Sequence, residues 1–176
     1  MVSELTRGSL PAFERLFQAN GERMKSIAAN LLGSVADAED AVQETFLKVY
    51  RGASGFRGGA SPTTWIYRIL VNTCYDQLRR RTRRAEAPLP AKLALASHED
   101  TDHPLRLALE AELRRLPARE RATFLLCEVE GFTHREAAEI LEVPEATSRT
   151  FLFRAKRRLQ QTLRATGAFA SAGGPS

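Results

Sequence analysis

The chain has 176 residues, 43% of them hydrophobic and 27% charged, with a formal net charge of +5. That length holds one medium domain or two small ones, and the composition excludes a largely unfolded chain. The excess of Lys and Arg points to an anionic partner, nucleic acid or a membrane surface, whereas the lack of any run of about 18 apolar residues excludes a bilayer span.

In chain order the pattern is helical throughout, with no internal repeat and no strand-like alternation of any length. The first residues, MVSELTRGSL, lack the basic-then-apolar design of a secretory leader. Residues 9–33 predict one or two helices. Phe13, Leu16, Phe17, Met24, Ile27, Ala28 and Leu31 supply the apolar face, and Gly33 is the stop. The next stretch, 37–50, reads DAEDAVQETFLKVY. It places Ala38, Ala41, Val42, Thr45, Phe46 and Val49 at the i, i+3, i+4 spacing of an amphipathic helix. Ser34 or Asp37 is available as its N-cap. The opposite face carries Asp40, Gln43 and Glu44, with Glu39 beside them. In a basic chain this acidic face predicts a docking surface for a basic partner; the simpler reading is a solvated helix face.

Residues 52–60 form a loop that holds four glycines around Phe56 and Arg57. Ser61 and Pro62 then open a third helix, with Ser as cap and Pro in the first turn. It runs to about 81, with a core face of Trp65, Ile66, Ile69, Leu70, Thr73 and Leu78. Its second face carries Arg68, Asn72, Tyr75, Asp76 and Arg79, and it ends in RRRTRR. Such an arginine cluster is costly to bury, so it is solvated or bound to phosphate. With Trp65, Tyr67 and Tyr75 upstream, the cluster fits a surface that stacks unpaired bases and holds their backbone. The simpler reading is a basic helix end beside core aromatics.

From 82 to about 101 the periodicity fails, and Pro88, Pro90 and small residues mark a flexible linker. Four helices are expected beyond it, at 104–116, 118–130, 133–141 and 145–164, punctuated by Pro117, Gly131 and Pro144. Residues 131–159 read as helix, short turn, helix. Ala137, Ala138, Ile140 and Leu141 pack the first of these helices, and Val143 plugs the turn. The second presents Arg149, Arg154, Lys156, Arg157 and Arg158. In helix-turn-helix design that second helix enters the major groove while basic side chains clamp phosphates. Glu145, Thr147, Ser148 and Arg149, near its start, are best placed to reach base edges. An ordinary helical hairpin with basic solubilising residues is the simpler alternative.

The fold class expected is therefore all-α: two small helical domains, 1–84 and 104–164, joined by a flexible linker at 85–103 and followed by a disordered tail at 165–176. Cys74 and Cys127 stand alone in apolar patterns without a C-x-x-C, so they read as buried structural thiols, and a cytoplasmic location fits. Enzyme signals are missing. There is no metal triad, phosphate-binding Gly loop or nucleophile elbow. His98 and His103 fall in the linker, and His134 reads as a surface residue at a helix start. No catalytic residue, metal or cofactor is expected.

Four stretches resemble the sigma-70 family of bacterial initiation factors, in the small extracytoplasmic-function (ECF) group. SLPAFERLF resembles the family's opening helix, and DAEDAVQETFLKVY the helix that docks on the clamp coiled coil of core RNA polymerase. FRGGASPTTWIYRILVNTCYDQLRRRTRR is similar to the segment that melts and reads the −10 element. LRRLPARERATFLLCEVEGFTHREAAEIL, with TSRTFLFRAKRRLQQTL, is similar to the domain that reads the −35 element. Their order and spacing follow the family over roughly 9–163.

By position, the resemblance implies that Asp40, Gln43 and Glu44 face the polymerase. Asn72 and Asp76 are implied for the −10 strand, with the loop at 56–60 accepting a flipped base; Arg68, Arg79 and Arg80, read above from the same helix face and arginine cluster, join them as −10 DNA-binding residues. Arg149 is implied for the −35 element, with Arg154 and Lys156 on the DNA backbone; Thr147 and Ser148, read above as placed to reach base edges, and Arg157, as a phosphate contact, complete the −35 set. It further implies promoter DNA, both duplex and melted, and an anti-sigma factor as partners, with no membrane insertion. Departures from the family pattern fall at the recognition helix. Ser148 stands where Val is usual, Phe151 where Arg or His is common, and Ala146 where Gly is common. Glu142 occupies a turn position often filled by Gly, at a cost of about 1 kcal/mol if φ is positive there. Two other functions compete: a stand-alone helix-turn-helix regulator, which would bind duplex tightly without polymerase, and a metal-dependent nuclease built on the acidic helix.

Overall fold

The computed structural model describes residues 9–56, 59–84 and 104–165. Among these residues the chain is all-α, with seven α-helices. The predicted linker at 85–103, with His98 and His103, lies outside the described residues, as does the predicted tail beyond Ala165.

Helix α1 (Leu10–Leu32) is one helix rather than two, and it ends at Gly33 with φ 72°. Its stop is the left-handed cap that glycine adopts without steric cost, with the Gly33 N–H donating to the Ala29 carbonyl at 2.8 Å. Ser34 then caps α2 (Val35–Gly52) by accepting from the Asp37 N–H. Ala38, Ala41, Val42, Thr45 and Val49 are buried on α2 as the periodicity requires, and the Thr45 hydroxyl donates to the Ala41 carbonyl. A short 3₁₀ turn (Ala53–Gly55) leads to Phe56, whose ring centre lies 4.8 Å from that of Trp65. Ser61 caps α3 (Pro62–Arg84), accepting from the Thr64 N–H at 3.0 Å. This helix extends almost a turn past the expected end near 81.

The second half contains α4 (Pro104–Arg115), α5 (Ala118–Phe124), α6 (His134–Leu141) and α7 (Glu145–Ala165). The expected helix at 118–130 changes form within its length: after α5 the chain makes a π-helical turn (Leu125–Val129). There the Glu130 N–H donates to the Leu125 carbonyl and the Phe132 N–H to the Leu126 carbonyl. A π turn accommodates one residue more than an α turn, which hydrophobic periodicity does not reveal. Thr133 and Glu136 form a reciprocal capping box at the start of α6. The Thr133 hydroxyl first, and the Thr133 N–H as well, donate to the Glu136 carboxylate and hold it below its ordinary range.

One core runs through both halves. Leu125, Leu126, Ala137, Ile140 and Leu141 belong to the same buried cluster as Leu16, Ile27, Ile66 and Leu70. Helix α3 packs on α1 and α2 along one side and on α6 along the other. That position explains burial the amphipathic pattern missed: Tyr67 and Val71 are fully buried, although the sequence placed only one face of α3 in the core, and Cys74 is fully buried as expected of a structural thiol. Burial pushes the Cys74 thiol up to about 12, which keeps it protonated and unreactive. A smaller cluster of Leu113, Leu116, Ala155 and Leu159 fixes α4 against α7.

The turn between α6 and α7 carries a positive φ at a non-glycine residue: Glu142 sits at φ 54°, ψ 49°. Its neighbour Val143 donates its N–H to the Ala138 carbonyl, closing the helix end. A side chain in the left-handed region costs about 1 kcal/mol relative to glycine. Glu142→Gly should therefore stabilise the protein by up to about 1 kcal/mol, less the entropy glycine adds to the unfolded chain. A urea denaturation curve with a lower midpoint for the variant would contradict this.

Candidate nucleic-acid and protein interfaces

On α2 the residues predicted to dock a partner share one side. Asp40 and Gln43 are exposed and Glu44 is half-exposed. The Glu44 carboxylate pairs with Lys48 at 2.8 Å, and Lys48 also donates to the Thr73 hydroxyl. Glu39 pairs with Lys25 of α1. An apolar groove of about 540 Å³ lies beside this side, between α1 and α2, lined among others by Phe17, Val42, Gln43, Phe46 and Leu47. Phe17, Leu47 and Tyr50 are each about half exposed, at 49%, 51% and 54%. The two aromatic rings pack on neighbours: Phe17 lies edge-on to Phe46, and Tyr50 is tilted against Phe13. The sequence reading assigned Phe17 and Phe46 to the core and overlooked Leu47 and Tyr50. The available signal was the surplus of aromatics at helical spacing on two adjacent helices, more than one thin interface can bury.

The α3 surface expected to hold an unpaired strand is brought together, and Arg68 and Asn72 on it meet the second half of the chain. The Arg68 Nε donates to the Glu139 carbonyl at 2.9 Å. Asn72 Nδ2 lies 3.5 Å from a Glu142 carboxylate oxygen, at the limit of a hydrogen bond. Asp76 pairs with Arg79, and Arg80 is exposed. Arg81, part of the arginine cluster, is engaged inside the molecule: it donates to the Leu32 carbonyl and pairs with Asp37. The Asp37 carboxyl is held below its ordinary range by the Ser34 hydroxyl first and by Arg81 as well.

The stacking aromatics require correction. Tyr67 is fully buried, edge-on to Phe132, and its hydroxyl donates to Glu130 at 3.2 Å. Burial pushes its phenol well above the usual range, so it remains a donor. Tyr75 is half-buried, with its hydroxyl 3.4 Å from the Ala118 carbonyl. Neither ring faces solvent where a base could stack, because the second half of the chain packs against that side of α3.

On α7 the geometry divides the predicted residues. Arg149, Arg154, Lys156 and Arg157 are exposed on the outer side. Arg149 pairs with Glu145 one turn earlier at 2.6 Å, and Lys156 pairs with Glu128. Thr147 is half-buried. Ser148 is fully buried, so it does not reach a base edge. Its Oγ lies 3.1 Å from His134 Nδ1, which itself lies 3.9 Å from Cys127 Sγ. Here His134 is half-buried rather than a plain surface residue. The position points inward at the helix crossing, where the family pattern's Val would pack; Ser fills it with a hydrogen bond instead. Sequence reasoning also passed over Phe153, which is 65% exposed among Arg149, Arg154 and Arg157 on the outer side of α7.

Among the described residues no group of His, Cys, Asp and Glu is arranged to hold a metal ion. No helix among them is long and apolar enough to cross a membrane.

Residues 16–84 match the sigma-70 region 2 family, and residues 106–159 match the sigma-70 region 4 family. The chain is 32% identical to the ECF RNA polymerase sigma factor SigM of Mycobacterium tuberculosis, over 89% of this chain and 79% of that protein. It is 30% identical to the ECF RNA polymerase sigma-E factor of Salmonella typhimurium, over 90% of each. Among solved structures, the sigma factor RpoE of Bartonella quintana, in complex with the anti-sigma factor NepR, superposes with a TM-score of 0.78 at 25% identity. That likeness covers 88% of this chain and 98% of the other.

The inward position of Ser148 makes a measurable distinction from Arg149. Ser148→Ala should destabilise the fold by about 1 kcal/mol through loss of its hydrogen bond to His134. Base preference in a DNA-binding selection should stay the same. A changed base preference without loss of stability would return Ser148 to the DNA surface.

Proposed function

The chain belongs to the ECF group of the sigma-70 family, and from that membership we infer how its surfaces divide the work of directing RNA polymerase to promoters. The observation that carries this division is the joining, on one chain, of an exposed acidic and apolar face on α2 with a helix-turn-helix whose basic side is open. A stand-alone regulator has no use for the first, and a nuclease has no use for the second.

Residues 1–84 form the unit that docks core polymerase and receives the −10 strand. Residues 104–164 form the unit that reads the −35 duplex, and 85–103 connects them. Asp40, Gln43 and Glu44 supply the polar part of the docking surface. Phe17, Leu47 and Tyr50 extend it with apolar area, which contributes about 25 cal/mol for each Å² removed from water. Arg68, Asn72, Asp76, Arg79 and Arg80 serve the unpaired non-template strand. On α7, Arg149 reads a base edge, while Arg154, Lys156 and Arg157 neutralise phosphates. Phe153 faces the same groove, where an aromatic edge contacts a thymine methyl. Thr147 supports the start of the helix.

Its action is binding rather than covalent chemistry. Strand opening is driven by trapping unpaired bases, as in base-flipping proteins, and needs no nucleotide hydrolysis. The protein works in the cytoplasm, where polymerase and chromosome are. An anti-sigma factor is its expected regulator, and the Bartonella relative is itself seen in a complex of that kind.

Run-off transcription with purified core polymerase on a randomised promoter library tests the reading as a whole: it requires transcripts that depend on the chain and share two upstream elements. Within that assay, Asp40→Lys should weaken core binding about tenfold, with stability changed by no more than about 0.5 kcal/mol. Arg149→Ala should relax selection at one −35 position by about 1–3 kcal/mol, whereas Arg157→Ala should weaken all promoters alike. A uniform loss from Arg149→Ala would make it a phosphate clamp.

A further inference from the structure

An acidic side chain stands at the end of α7 that enters the groove. Glu145 is the first residue of α7 and is exposed. Its carboxylate accepts from Arg149 Nη2 at 2.6 Å, one turn later, with the two side chains 44% and 63% exposed. An exposed pair of this kind contributes little to stability. Its consequence is electrostatic and directional. A helix N-terminus attracts phosphate, and so does a free guanidinium. A carboxylate at the same place repels phosphate and keeps the guanidinium beside the start of the helix. The other cations on this side of α7 are held differently. Lys156 pairs with Glu128 of the π-helical turn, outside α7. Among the described residues no carboxylate pairs with Arg154 or Arg157, which leaves both free to settle on phosphates. Arg149, by contrast, is tethered from within its own helix. A guanidinium carries several N–H donors. One is taken by Glu145, and the rest suffice for a bidentate contact to guanine O6 and N7.

We propose that Glu145 is a positioning residue that sets base specificity: it holds Arg149 toward base edges and off the phosphates, so that this arginine discriminates sequence instead of adding general affinity for duplex DNA. Glu145 acts through Arg149 and is assigned no contact with DNA of its own. Without Glu145, the guanidinium is released beside a helix end that favours anions. It is then drawn to phosphate, a contact that every sequence offers. Affinity for duplex rises, discrimination falls, and salt dependence steepens because a further counterion is displaced. A residue that merely supported the helix would give the opposite sign, weaker binding when removed.

This inference rests on the reading of Arg149 as a base contact, and the test keeps the two apart. The full-length chain is used with core polymerase throughout. Run-off selection with the parent and with Arg149→Ala first identifies the guanine whose preference is lost. If Arg149→Ala relaxes no guanine, the base-reading assignment fails in the parent itself, and the role of Glu145 falls with it. The probes are then two fluorescent duplexes: the selected promoter, and the same promoter with 7-deazaguanine at that position, which removes the N7 acceptor alone. The parent should bind the modified probe about tenfold more weakly than the natural one. Glu145→Ala should bind the two within about twofold of each other. It should also bind an unrelated duplex of equal length about two- to fivefold more tightly than the parent does, with a salt slope steeper by about one. In an Arg149→Ala background, Glu145→Ala should change neither the slope nor the ratio of the two probes, because the effect is carried by the guanidinium. Circular dichroism and a cooperative melt confirm that each variant is folded. A penalty for 7-deazaguanine that Glu145→Ala retains in full overturns the proposal. So does uniform weakening of Glu145→Ala on every duplex, which marks a structural role. A steeper slope that Glu145→Ala also produces without Arg149 overturns it too, because that is loss of a repelling charge rather than release of a guanidinium.

Discussion

The buried carboxylate of Glu130 is the constraint on which the arrangement of the two halves depends. An ionised group taken out of water must find partners, and a buried charge left without one costs several kcal/mol. Glu130 finds its partners only outside its own half, in Arg23 and Tyr67. The surrounding surface is apolar and continuous with the core of the first half. Hydrophobic burial supplies attraction between the halves without direction, while the Arg23–Glu130–Tyr67 group fixes which faces meet. A salt bridge of this kind is modest evidence for stability and better evidence for a specified geometry.

That geometry treats the proposed functional surfaces unequally. Asp40 and Gln43 of α2 and the basic side of α7 face solvent, whereas Arg68 and Asn72 of α3 are matched to acceptors from the end of α6. Asymmetry of this sort has a thermodynamic meaning. A partner that binds an open surface gains its full contact energy at once, while a ligand for the covered surface gains only what remains after separating the halves. Large surface contact with polymerase is the kind of event whose differential affinity for two states can be large enough to shift such an equilibrium.

Much of this was legible in the residues. The helices of the first half follow from clean i, i+3, i+4 spacing and strong punctuation at Gly33, Ser34 and Ser61, all local signals. Glu142 was legible for the same reason: a turn position at a helix end has few allowed conformations, and the left-handed one is observed. What escaped was set by contacts distant in sequence. Tyr67 reads as a polar-side aromatic on an amphipathic helix, and it is buried because Phe132, 65 positions away, covers it. Ser148 reads as an exposed polar residue early in a recognition helix, and it is buried because His134 of α6 supplies its hydrogen bond. Glu130 drew no notice at all, since nothing around it in sequence announces a buried acid. The domain boundaries at 84 and 104 came from composition, and the residues between them are outside the described structure.

The π-helical turn at Leu125–Val129 carries a consequence for how this chain tolerates insertion and deletion. Successive residues of an α-helix are separated by about 100° around the axis. One additional residue in a turn therefore resets the angular phase of everything that follows, with no change of side chain. Glu130 and Phe132 follow immediately, and both bond back into the turn, to Leu125 and Leu126. Their aim toward Arg23 and Tyr67 is thus set by a count of residues as much as by their identity. Losing a single residue from this turn would restore regular α-helix and improve local hydrogen-bond geometry. It would also swing the buried acid away from its partners, so that a locally more regular helix would yield a differently assembled molecule.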